Sequence, residues 1–239
     1  PSRMLDAIAQ AGGSRRLKPA LYRTYGGDYM RSYSNSSLRD LLDAFASTAP
    51  APGGGSAGAL AGAIGVSLLV MAAGIRPSRP GGSTESLELA DAADRLRSLR
   101  PALAALIDRD ADAYTSVIAA LRMPITNKET EVQHRTAFES AMRAATDVPL
   151  DTMRTCRRAL GEAPVVASHS IRSTHGDVGV AIELLRAAVR SAGITVDANL
   201  SSLRDVEYVG MVRTERQQLE SVSAAYAEHG LSQLTGRSG

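Results

Sequence analysis

The sequence predicts an all-α fold, a single domain of about seven helices arranged as an antiparallel bundle. Three observations predict it. Hydrophobic residues fill 44% of the 239 positions while aromatics fill 4% and Trp is absent, so the apolar content is mostly Ala, Leu and Val. Ala and Leu favour helix, and small side chains let helices approach closely. Apolar residues also recur at the i, i+3, i+4, i+7 spacing of a helical face. Finally, the alternating β-branched runs of a parallel sheet are missing, and "PVVASHSI", residues 164–171, is the one strand-like piece.

Residues 1–35 read as an appended arm, basic and rich in tyrosine. Arg3, Arg15, Arg16, Lys18, Arg23 and Arg31 outnumber Asp6 and Asp28, and Tyr22, Tyr25, Tyr29 and Tyr33 all fall here. Such a segment suits nucleic acid or an anionic ligand. It equally suits packing on the body or on a second subunit. It holds no recognisable nucleic-acid module, and the formal net charge of +2 calls for no nucleic-acid partner.

The helical domain is expected over 36–230, with a flexible tail over 231–239. "SSLRDLLDAFAS" places Leu38, Leu41, Leu42 and Phe45 on one face behind a serine cap. The glycine-rich stretch 49–75 follows, and then "RPSRPGGST" forms a loop whose Ser83 or Thr84 caps the next helix. That helix runs to Leu121, and Pro101 is expected to kink or split it. A further helix covers about 128–147 and resumes after Pro149 to Leu160. Residues 161–176 are ambiguous. Helical pattern returns over 177–192, where Gly193 can interrupt it, and again over about 201–227.

One cysteine, Cys156, excludes an internal disulfide and a cysteine-based zinc site, and it reads as a core residue. No metal cluster is offered. No charged, apolar and cleavage-site succession opens the chain, so a cytoplasmic protein is expected.

The stretch "APAPGGGSAGALAGAIGVSLLVMAAGI", residues 49–75, carries no charge and admits three readings. A phosphate loop would need the lysine of G-x-x-x-x-G-K-[ST] and a preceding strand, and both are missing. A membrane span fits the length, but Ala and Gly drive insertion poorly and no second such segment exists. A buried helix fits best. Gly58, Gly62 and Gly65 then share a face that another helix can approach closely, while Leu60, Ile64, Leu68, Leu69 and Met71 make the rest apolar. Each glycine costs about 1 kcal/mol of helix propensity relative to Ala, which close packing must offset. Gly53, Gly54 and Gly55 leave backbone N–H groups unshielded, and Ser56 is a plausible cap. Free amides at a helix start suit a carboxylate or another electron-rich group.

At these residues the chain resembles the formiminotetrahydrofolate cyclodeaminase / methenyltetrahydrofolate cyclohydrolase family. "FASTAPAPGGGSAGALAGAIGVSLLVMAAGI" is similar to the family's opening. "LIDRDADAYTSVIAALRMP", "ATDVPLDTMRTCRRAL" and "GDVGVAIELLRAAVRSAGITVDANLSSLRD" follow in family order, and the resemblance covers about residues 37–225.

The resemblance implies a helical homodimer with a folate pocket at or near the dimer interface. It implies one of two reactions at the folate one-carbon bridge: hydrolysis of the methenyl to the 10-formyl form, or deamination of the formimino form. No metal or other cofactor is implied, and no membrane partner. Asp110 and Asp108 match the family's aspartates. Asp110 points about 200° around the helix from Asp108, which shares its face with Asp112. Asp110 is therefore expected as the proton-transfer or pterin-binding carboxylate, with Asp108 beside it in the catalytic set. Gly53, Gly54, Gly55 and Ser56 are expected to face substrate. Asp177 binds substrate or caps its helix, and Asn199 hydrogen-bonds ligand or backbone.

The chain departs from the family pattern in places. "AAGIRPSRPGGSTES" has no lysine where the family has several, and Arg76 or Arg79 could replace the charge. Gly176 stands where Ser is usual, and Thr195 takes the place of an Asn. These departures leave two other readings: an enzyme of the same fold acting on another imine, amidine or cyclic amine, or a non-catalytic helical dimer that binds a partner through its basic arm.

Overall fold

The computed structural model describes residues 32–75 and 84–235. The expected arm, apart from its last four residues, lies outside them, with Tyr22, Tyr25 and Tyr29. So do Arg76, Arg79, Ser83 and the last four residues of the expected tail. Among the described residues there are six α-helices and two short 3-10 turns, and no strand. The helices are α1 (Leu38–Ala46), α2 (Gly54–Gly74), α3 (Thr84–Leu121), α4 (Lys128–His169), α5 (His175–Leu200) and α6 (Val206–Thr235).

From α2 onward each helix runs antiparallel to the next, as residue pairings show. Ser56 of α2 meets Ile107 and Asp110 of α3. Arg95 and Arg109 of α3 pair with Glu162 and Asp151 of α4. Asn199 of α5 bonds Ala145 of α4, and Gly193 and Gly179 of α5 face Arg216 and Leu234 of α6.

Local signals set several helix starts. Ser37 caps α1, its Oγ accepting from Asp40 N at 3.2 Å. Asn127 opens α4 with a reciprocal box, accepting from Thr130 N at 2.9 Å while Thr130 Oγ1 accepts from Asn127 N at 3.0 Å. The segment 164–171, which looked strand-like, continues α4 to His169 and then turns.

Prolines divide the sequence into more helices than form. α3 passes through Pro101 and α4 through Pro149 and Pro164 without a break. A proline inside a helix orphans the carbonyl four residues back. Pro101 and Arg97 are both exposed, so water can satisfy that carbonyl. Pro149 orphans Ala145 O, and Asn199 Nδ2 donates to it at 2.7 Å. α5 likewise continues through Gly193, whose missing side chain leaves room for the Arg216 guanidinium across it. At the C-terminus α6 holds helix to Thr235, and Leu231 and Leu234 pack on the core. Residues 231–235 of the expected tail are therefore part of the helical body.

The core fills the space between α2 and the long helices. Leu69, Leu103, Leu150, Met153, Leu160, Ile182 and Leu185 are among its fully buried side chains. α2 packs against α3, α4 and α5. Its glycine face does what the spacing predicts. A Cβ on Gly58 would lie 3.0 Å from Ser191 Oγ, one on Gly62 would lie 2.6 Å from Cys156 Sγ, and one on Gly65 would lie 2.8 Å from Leu185 Cγ and 3.0 Å from Ala181 O. Close contact with α4 and α5 thus offsets the helix propensity that these glycines forgo. By length and hydropathy α2 could also cross a membrane, but here it is an element of the helical core. Cys156 is fully buried, and burial pushes its thiol up to about 12, so it stays a packed thiol.

Candidate active site

The first turn of α2 meets the middle of α3. Gly53 is the extended residue before α2 and carries no side-chain cap. Ser56 sits one turn in, fully buried. It does not cap its own helix. Its backbone N–H donates to Asp110 Oδ2 at 2.7 Å, and its hydroxyl lies 2.9 Å from the same oxygen and 3.0 Å from Ile107 O. The hydroxyl has one proton, so it serves one of those two acceptors at a time. When Asp110 is protonated it can donate to Ser56 Oγ, and the serine proton then turns to Ile107 O. The contact therefore supports both charge states of the carboxyl.

Gly55 makes this approach possible. A Cβ built on it would stand 2.0 Å from Asp110 Oδ1, 2.6 Å from Cγ and 2.9 Å from Oδ2. The carboxylate occupies the volume that a side chain would need. Asp110 thereby becomes the anion at the helix start. Four backbone N–H groups of α2 have no partner inside the helix, and the dipole favours negative charge there. The amide of Ser56, expected to face a ligand, is already used by Asp110.

Burial raises the Asp110 carboxyl above its ordinary value, and the two Ser56 hydrogen bonds only partly counter that. Oδ1 makes no hydrogen bond among the described residues and is not sealed off as a buried unpaired atom. Gly53 and Gly54 beside it are exposed. No side chain would crowd a Cβ on Gly53, and only Thr195 Oγ1, at 3.7 Å, approaches one on Gly54. The result is a carboxylate with one oxygen held from behind and the other open beside a side-chain-free turn.

Asp108 has a different task. Its oxygens accept from Tyr33 N, from Ser34 N at 3.2 Å and from Ser34 Oγ at 2.6 Å. Tyr33 Oη also donates to Ala51 O at 3.2 Å. Asp108 thus ties the Tyr33–Asn35 turn to α3, next to the loop that leads into α2. It was expected in the catalytic set, and the structure places it as an anchor. The sequence places Tyr33 and Ser34 in the arm and includes packing on the body among its readings, but spacing alone does not name Asp108 as their partner.

Asn199 takes the backbone option of its two expected roles: one of its amide N–H groups donates to the Ala145 carbonyl orphaned by Pro149. Leaving that carbonyl unpaired should cost about 1–3 kcal/mol. Asn199→Leu is therefore expected to lower stability by that order in urea denaturation while leaving KM unchanged. Asp177 is exposed in the first turn of α5, where it complements the helix dipole. Thr195, at the α2 glycines, is 18 residues further along the same helix, about 27 Å away. Within one chain Asp177 does not reach Asp110.

His169 pairs with Glu88 at 3.1 Å at the end of α4. Among the described residues no three His, Cys, Asp or Glu side chains converge as a metal site.

A family model described as formiminotransferase-cyclodeaminase matches residues 37–218. A methenyltetrahydrofolate cyclohydrolase of Methylorubrum extorquens is 30% identical over 196 residues, covering 82% of this chain and 91% of that protein. The formimidoyltransferase-cyclodeaminase of Gallus gallus is 22% identical across 90% of this chain, which spans only 39% of that longer protein. The formiminotetrahydrofolate cyclodeaminase of Thermotoga maritima shares the fold, with a TM-score of 0.75 at 22% identity over 84% of this chain and 97% of that one.

Proposed function

Because this chain belongs to the formiminotransferase-cyclodeaminase family, we propose that it acts on the one-carbon bridge of a tetrahydrofolate, hydrolysing the methenyl form to the 10-formyl form. The same centre suits closure of the formimino form with loss of ammonia. One observation carries the reading: Asp110, its carboxyl raised by burial, offers an open oxygen beside the Gly53–Gly55 turn. In both reactions the reacting carbon lies between two nitrogens and carries amidinium character. A helix start already filled by a carboxylate disfavours an anionic reacting group and favours a cationic one.

In hydrolysis, ionised Asp110 takes a proton from the attacking water as the new C–O bond forms. It then returns that proton to the departing nitrogen as the C–N bond breaks, and the remaining O–H proton leaves to solvent as the formyl C=O forms, so the methenyl cation and water give the neutral product and one released proton. A carboxyl raised above its ordinary value by burial is suited to both transfers. Ser56 holds Oδ2 through the cycle, and Gly53 and Gly54 let the pterin approach the backbone. Proton transfer by this carboxylate requires no resident metal or cofactor.

A homodimer would complete the site. Ile64 and Met71 on α2, Ile75 just after it, and Val180 and Ile194 on α5 are exposed apolar residues. α2 and α5 are antiparallel. A two-fold axis perpendicular to them would bring the Asp177 end of one copy level with the glycine turn of the other.

The test is to follow methenyltetrahydrofolate absorbance with purified protein at neutral pH. Acceleration well above the buffer rate is expected. A rate equal to buffer would remove the proposal.

A further inference from the structure

A second concave surface lies between α3, α4 and α6, remote from Asp110. Arg95, Leu99, Arg157, Arg158, Glu162 and Tyr226 line a cleft of about 270 Å³ whose floor includes Gly161. Arg95 is 15 residues before Asp110 on α3, about 22 Å along the helix. Three guanidiniums face one carboxylate here. Glu162 is fully committed to Arg95, with Nε–Oε1 at 2.8 Å and Nη2–Oε2 at 2.9 Å. Arg157 and Arg158 have no hydrogen bond or ion pair among the described residues. Arg157 is moreover half-buried. Holding a cation partly out of water with no counter-charge is unfavourable, and here the exposed Arg158 stands beside it on the same cleft.

Their neighbours along α4 behave differently. Arg154, one turn earlier, binds Glu215 through Nε and Nη2 at 2.7 Å and Asp151 through Nη1 at 2.9 Å. Arg154 thus draws one carboxylate from α4 and one from α6, while the next two arginines along α4 draw none. Tyr226 closes the far wall from α6, its ring in ordinary contact range of a Cβ on Gly161.

We propose that this cleft is a second binding site, separate from the Asp110 centre, for the dianionic phosphate group of a small molecule. Two unpaired guanidiniums match two negative charges. Each planar fork can grip two oxygens of a phosphate at once. Arg95, fixed by Glu162, forms the rim, and Tyr226 gives the rest of the ligand a ring to lie against. The site makes no use of folate chemistry, so it stands or falls apart from the proposed reaction.

The probe is inorganic phosphate, titrated at constant ionic strength set with sodium chloride. Nuclear magnetic resonance would follow the arginine Nε–Hε signals. Saturable shifts confined to Arg157, Arg158 and their cleft neighbours are expected. Arg158→Gln, an exposed change on a helix surface, should weaken phosphate at least ten-fold with an unchanged circular dichroism spectrum. Arg157→Gln should do the same. Linear, unsaturable drift shared equally with exposed Arg97 and Arg100 would overturn the proposal. So would unchanged affinity in Arg158→Gln, or succinate binding as tightly as phosphate.

Discussion

Gly55→Ala will cut turnover about 100-fold while the helices stay folded. The new Cβ would sit 2.0 Å from Asp110 Oδ1, far inside any tolerable contact. What it meets is the end of a short side chain, so the carboxylate can swing away and the backbone can keep its course. Overpacking of this kind costs about 1–3 kcal/mol of stability, offset by up to about 1 kcal/mol because Ala is the better helix former. The catalytic cost is larger. A displaced carboxylate loses the Ser56 amide and its aim at the open turn, and a misplacement of about 1 Å can cost about 100-fold in rate. Thermal denaturation should show a modest fall in Tm, and the absorbance assay should show a rate lowered about 100-fold. Wild-type turnover in Gly55→Ala would mean that this contact has no part in catalysis.

Asp110→Asn will separate activity from stability in the opposite direction. The asparagine oxygen can still accept from Ser56, but the side chain can neither take nor return a proton. Loss of a general acid–base group typically costs about 10²- to 10⁴-fold. Stability should not fall with it. Burial raises the Asp110 carboxyl in the folded protein, so the folded state holds this proton where the unfolded state has released it. Unfolding free energy therefore declines as pH rises from the ordinary carboxylate value through the raised one. Asparagine carries no such penalty. Above that window the variant should be as stable as the wild type or more so by urea denaturation, and below it the difference should vanish. A variant clearly less stable at neutral pH would show that the charged contact is a net stabiliser.

These two residues show how far the sequence reaches. Periodicity places Gly58, Gly62 and Gly65 on one face, and the structure lays that face on α4 and α5. Helical phase also separates Asp110 from Asp108, and the two do diverge, one toward Ser56 and the other toward the Tyr33–Asn35 turn. Spacing cannot pair residues across helices, however. Ser56 and Asp110 are 54 positions apart, so Ser56 looked like a cap for its own helix. The sequence leaves Asn199 open to ligand or backbone, because the choice depends on a carbonyl that Pro149 orphans on another helix. Pro101 and Pro149 suggested breaks because the sequence does not reveal what compensates a missing N–H. From the sequence alone Asp177 either binds substrate or caps its helix. The antiparallel course of α2 and α5 sets it at the far end of the bundle, where only a second copy could return it.

The family assignment is independent of these details, and the role given to Asp110 is not. The pH dependence of kcat/KM for methenyltetrahydrofolate hydrolysis tests that role most directly, measured on the wild type and on Asp110→Asn under identical buffers. In the wild type, kcat/KM should rise with pH as a single carboxyl ionises above the ordinary carboxylate range, and that inflection should be missing from the low residual activity of Asp110→Asn. An inflection that persists unchanged in Asp110→Asn would contradict the account and assign the proton transfer to another group.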